Sequence, residues 1–203
     1  KLPPVEQRLP QNPVIVKPAE KVGKYGGEWR TGTIERNGND LQRNIGYEQL
    51  MRYTPMYDGV IVNIAESYTA SADAKEYVFK LRKGMKWSDG TPLTADDCVF
   101  WYEDIVMNKD ITPSPPRMKY TVTKVDDYTI KWVWEKPNGL FIKDMARINN
   151  EESCRYQKKY LQQFHKKYNT TNLDDLVKKY NQNTWAALFN FMRYPHNNPD
   201  VPT

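Results

Sequence analysis

Reaction chemistry in this chain would have to start from its histidines, its paired acids or its cysteines. His165 sits in a basic, helix-like run and His196 in a Pro-rich tail, and neither has the HExxH spacing of a zinc protease or a GxSxG partner. Asp96-Asp97, Asp126-Asp127, Glu151-Glu152 and Asp174-Asp175 are adjacent acids. Neighbouring side chains diverge on a strand or a helix, so these pairs read as caps and turns rather than as a general acid and base. Cys98 and Cys154 fall in no CxxC or Cys/His grouping, which argues against structural zinc. Two buried thiols and a single disulfide, the latter restricted to an oxidising compartment, both stay open. Gly26-Gly27 lacks the further glycines and the lysine of a phosphate loop. The expectation is a protein with no catalytic residues, no metal and no cofactor.

Noncovalent chemistry has more material. The 203 residues include 14 Tyr, 6 Trp and 6 Phe. Alternating Trp132 and Trp134 read as core, whereas Trp29, Tyr47 and Trp87 could offer rings for stacking sugars or peptide side chains. The net charge of +5 is spread among numerous acids, without the dense basic stripe that phosphate backbones need, so nucleic acid is not expected as a partner. Lys158, Lys159, Lys166, Lys167, Lys178 and Lys179 read as solvated helix faces. No apolar run approaches the roughly 18 residues of a membrane span, and no charged-then-apolar leader opens the chain; the sequence reads as soluble, and mature or trimmed.

The elements that must position these groups follow from periodicity. Residues 1–22 carry five prolines and read as an extended arm lying on a surface. Residues 28–34 alternate as a strand, and Leu41, Ile45 and Leu50 suggest a helical stripe. In YVFKLR, Tyr77, Phe79 and Leu81 share one face and Lys80 and Arg82 the other, the period of a half-buried strand. A short extended piece over 85–87 ends in the Ser88-Asp89-Gly90 turn, and Thr94-Ala-Asp-Asp97 is a helix N-cap signature. Residues 122–125 and 128–134 form a hairpin around Asp126-Asp127. From about 153 the period becomes helical, with Asn172 and Thr184 as caps, and the tail HNNPDVPT shows no packing pattern.

GGEWRTG, then NIAESYTASADAKEYVFKLRKGMKWSDGTPLTADDCVFWYEDI, then VTKVDDYTIKWVWEKPNGLFIKDMA, and finally YLQQFHKKYN with TWAALFN, resemble in order the opening part of family-5 extracellular solute-binding proteins of ABC transporters. This is the oligopeptide- and dipeptide-binding class, and the similarity runs from about residue 23 to 192. It implies a mixed α/β (α+β) fold, the N-terminal part of a periplasmic-binding-protein type II fold. The parts would be an arm (1–22), a first segment of the main lobe (23–60), a small β-rich domain with one capped helix (61–150) and a helical segment with tail (151–203).

The resemblance also implies capture of an oligopeptide or oligosaccharide in an inter-lobe cleft, for handover to an ABC permease. The place would be the periplasm or the cell exterior, with a membrane anchor in the full-length protein left open. Full members are roughly two to three times longer, so the chain is expected to lack the second lobe. One cleft wall on this chain would be Thr31, Gly32 and Thr33 after the first strand, with Tyr47 and Glu48 beyond. A strand at 28–34 without partners suggests self-association or pairing with a missing fragment. A standalone protein-interaction module is the rival reading.

Overall fold

A computed structural model describes residues 4–24, 26–28, 30, 48–114, 116–147 and 151–203. The strand expected over 28–34 and the helical stripe from Leu41 lie largely outside them. A helical turn, Val5–Arg8 (α1), interrupts the segment that the prolines suggest is extended. Leu50, assigned above to a helical stripe, leads instead into a strand, Met51–Tyr53 (β1), which pairs antiparallel with Val60–Val62 (β2).

The main sheet holds Ala65–Ala70 (β3), Glu76–Leu81 (β4), Tyr120–Asp126 (β5) and Thr129–Trp134 (β6), antiparallel in the order β3-β4-β6-β5. Period-2 alternation decides its faces. Tyr77, Phe79 and Leu81 of β4 and Ile130, Trp132 and Trp134 of β6 are buried, with Tyr77 opposite Trp132 and Phe79 opposite Ile130. The other face keeps charge in water, where Lys80 pairs with Glu66 and Lys131 with Glu76. The hairpin turn falls one residue later than the sequence suggests, because the Asp126 carboxylate accepts the Tyr128 N–H at 2.8 Å and a bulge at Lys124/Asp126 takes up the slip.

Two helices cover the buried face. Ala95–Phe100 (α2) continues through Trp101–Val106 with wider turns, ending on a Met107 N–H to Tyr102 carbonyl bond of 3.0 Å. Phe141–Asp144 (α3) drives Phe141 into an aromatic cluster with Tyr77, Trp134, Trp132 and Phe79, at centroid distances of 4.9, 5.0, 5.8 and 5.9 Å.

The two cap aspartates of α2 part company. Asp96 faces out to Lys124 at 2.7 Å, whereas Asp97 turns in and is 5% exposed. Its carboxylate accepts the Thr94 N–H (3.0 Å), as in a capping box, the Trp87 indole N–H (3.2 Å) and the Lys158 N–H (2.9 Å). Asp89 accepts the Gln157 amide at 3.0 and 3.1 Å. The dense central motif therefore clamps the chain where the C-terminal helices begin. Gly84 belongs to the same scaffold: its φ is +85°, and an added Cβ would stand 3.2 Å from the Gln11 nitrogen, where the N-terminal arm bonds the Lys83 carbonyl. Arg82, 5% exposed, joins that arm to the start of β3 by donating to the Asn12 carbonyl on one side and the Asn63 and Ala65 carbonyls on the other.

The helical segment comprises Lys158–Leu161 (α4), Leu173–Lys179 (α5) and Trp185–Met192 (α6). Thr184 caps α6 by accepting the Ala187 N–H at 3.1 Å; the Asn172 side chain makes no cap bond to α5, its Oδ1 accepting instead from the Asn169 amide at 2.7 Å. The tail does pack: Asn198 and Val201 are buried, and Thr203 exchanges hydrogen bonds with Ser88. Lys167 is no free surface charge either, since its ammonium meets the buried Asp104 carboxylate at 2.8 Å beside the Tyr168 hydroxyl at 2.6 Å.

His165 is structural. It lies 2% exposed among Trp185, Phe189 and Phe100, at centroid distances of 5.0, 5.5 and 6.2 Å. Its Nδ1 accepts the Lys167 N–H (3.1 Å), which leaves Nε2 to carry the proton toward the Asp104 carbonyl (3.1 Å). Burial pushes this imidazole below its ordinary value of 6.5, against the pull of Asp104 and with the help of Lys167. Below that value the unfolded chain binds the proton that the fold refuses, so stability falls as pH drops. Urea midpoints are therefore expected to decline between about pH 7.5 and about pH 5.5, with a shallower slope in His165→Gln.

Candidate functional site

Of the cleft-wall residues expected from sequence, Thr31, Gly32, Thr33 and Tyr47 lie outside the described residues, and Glu48 lies within them. The Glu48 carboxylate accepts from the Asn63 amide nitrogen at 2.5 Å, and the same nitrogen reaches the Gln49 carbonyl at 2.9 Å. Asn63 is itself buried and donates its N–H to the Leu50 carbonyl at 3.1 Å. The link between β2 and β3 thus pins Glu48 at the root of β1. Trp87 is not available for stacking: it is 5% exposed, with its indole nitrogen committed to Asp97.

The described surface carries a further feature, an open groove of about 560 Å³ between the two sheets. Its lining includes Tyr53, Tyr57, Tyr68 and the largely buried Tyr77, with Asp58 and Lys143 as charged neighbours. Tyr53 and Tyr57 stack at 5.6 Å, and the Thr54–Gly59 turn holds them. Tyr57 has a φ of +58°, a conformation unusual for a bulky side chain and one found where a site fixes a residue in place. The Tyr53 and Tyr77 hydroxyls donate to backbone carbonyls of Lys143 (3.3 Å) and Asn138 (2.7 Å), which orients the rings; burial raises the Tyr77 phenol above its ordinary range. Such a surface can stack against sugar rings or apolar side chains. The two tyrosines four apart in MRYTPMYDG are the signal for this groove that the sequence itself carries.

Among the described residues, no group of three or more His, Cys, Asp or Glu could hold a metal, and no helix is long and apolar enough to cross a membrane.

The described residues form a mixed α/β fragment of the periplasmic-binding-protein fold, with an aromatic groove and several acids committed to scaffolding. The chain belongs to the bacterial extracellular solute-binding proteins of family 5, whose middle-region model matches residues 59–186. It is 30% identical over 162 residues to the periplasmic alpha-galactoside-binding protein of Rhizobium meliloti, covering 67% of this chain and 23% of that one. Over 123 residues it is 30% identical to the dipeptide-binding protein of Escherichia coli, covering 49% and 22% of the two chains. The solved structure of an oligopeptide-binding protein, OppA, superposes with a TM-score of 0.87 at 38% identity, covering all of this chain and 32% of that one. The chain thus spans between about a fifth and a third of the length of these relatives. The family is one of binding proteins, and the chain is not an enzyme.

Proposed function

We propose that this chain is part of a receptor that captures an oligopeptide or oligosaccharide noncovalently and delivers it to an ABC permease, in the periplasm or at the cell exterior. The observation that carries the reading is the superposition of all of the chain on an oligopeptide-binding protein, with a TM-score of 0.87. Its relatives include proteins named for an alpha-galactoside and for dipeptides, which supports both ligand classes. Lobe closure around the ligand would couple capture to recognition by the permease. Thr31, Gly32, Thr33, Tyr47 and Glu48 form one wall of the cleft in this reading, with Glu48 prepositioned by Asn63.

Calorimetry on the full-length protein tests it. Thr33→Ala, Tyr47→Ala and Glu48→Ala are each expected to weaken ligand binding by roughly tenfold, about 1.4 kcal/mol. Unchanged affinity removes a residue from the wall. Tyr57→Ala, measured beside them, decides whether the ligand's seat extends into the tyrosine groove.

A further inference from the structure

Solute capture has no use for the two cysteines, yet the fold brings them together from 56 positions apart. Cys98, on the buried side of α2, is 0% exposed and Cys154, just before α4, is 6% exposed; their Sγ atoms are 3.0 Å apart, inside the contact distance of unbonded sulfurs. The neighbouring chain is held in register independently of the sulfurs. Asp97 accepts the Lys158 N–H at 2.9 Å, and Gln157 donates to Asp89 at 3.0 Å and to the Thr91 hydroxyl at 2.8 Å. Both thiols are free in this structure.

We propose that Cys98 and Cys154 form a disulfide in the exported protein, a covalent staple between the helix covering the sheet and the start of the helical segment. The inference rests on the periplasmic or extracellular location proposed above, since such bonds persist in oxidising compartments. One thiolate attacks the disulfide of an envelope thiol oxidoreductase or of oxidised glutathione, forming a mixed disulfide and releasing one thiol. The second thiolate then displaces the remaining oxidant sulfur. In sum, the two cysteines lose two protons and two electrons, and the oxidant's disulfide becomes two thiols. The Cys154 sulfur and burial hold the Cys98 thiol well above its ordinary range, and the finished bond is sheltered from reductants. The closed loop includes β5, β6 and α3, long enough for the staple to restrict the unfolded chain strongly.

The test uses the full-length protein exported to the periplasm of a bacterial host. Cell fractions are denatured in a first alkylating label without reductant, then reduced and given a second label. The expected result is the second label alone on Cys98 and Cys154, a cross-linked peptide pair before reduction, and a thermal midpoint that drops with reductant. The Cys98→Ala/Cys154→Ala variant should lose that reductant sensitivity; if it does not fold, the labelling of the unaltered protein still decides. First label on both cysteines of envelope-fraction protein overturns the staple and leaves the location standing. Protein found only in the cytoplasm overturns the location instead. The reduced full-length protein is then refolded with oxidised glutathione, where failure to cross-link overturns the staple.

Discussion

Asp97→Ala is expected to lower the unfolding free energy by about 4 kcal/mol, one of the two largest effects anticipated for single substitutions here. Three N–H donors from three stretches of chain converge on this carboxylate: the Trp87 indole and the Thr94 and Lys158 amides. Alanine leaves all three in a buried setting, and each orphaned donor costs roughly 1–3 kcal/mol, partly recovered where water enters. Burial pushes the Asp97 carboxyl above its ordinary range, and the three N–H bonds oppose that shift. Asp97→Asn keeps one acceptor oxygen but turns an amide N–H₂ toward a donor, and is expected to cost about half as much. The checks are urea midpoints at unchanged m value and faster amide exchange at Lys158. A cost below about 1 kcal/mol for Asp97→Ala would show that the clamp contributes little.

Phe79→Ala is expected to cost a similar amount, about 4 kcal/mol, by a different mechanism. Phe79 is 0% exposed at the centre of β4, with Trp132 at 5.5 Å, Phe141 at 5.9 Å and Tyr68 at 6.0 Å between ring centroids. Removing the ring forfeits its transfer energy and leaves a cavity that rigid aromatic neighbours cannot close, because both flanking strands are held in register. Phe79→Leu refills part of that volume and is expected to cost about 1–2 kcal/mol. The comparison is again by urea midpoint. Equal costs for alanine and leucine would argue that edge-to-face ring geometry, and not volume, carries the stabilisation.

Much of the scaffold was legible in short windows of sequence. Alternation over Tyr77–Leu81 and Ile130–Trp134 marks two strands and their buried faces, since side chains two apart necessarily share a side. Thr94 followed by Asp97 marks the start of α2, and Thr184 the start of α6, because capping is settled within one turn. The family resemblance drawn from the central motif is matched by the family model over 59–186. Of the five residues expected for a cleft wall, Glu48 falls among the described positions, and its partner Asn63 lies 15 residues away, beyond the reach of local patterns.

What the sequence by itself determined is thus the local grammar: which segments are strands, where helices begin, which faces are apolar, and that no catalytic constellation stands out. Tertiary structure decided which of two adjacent carboxylates became a buried hub, why a tail without periodicity packs against Ser88, how Trp87 became scaffold, and that Cys98 and Cys154 meet. The physical reason is range. Periodicity and caps depend on neighbours within about four positions, whereas the Asp97–Lys158 and Cys98–Cys154 contacts span 61 and 56 positions. Such contacts form only after loop closure and core packing have selected one face of each element.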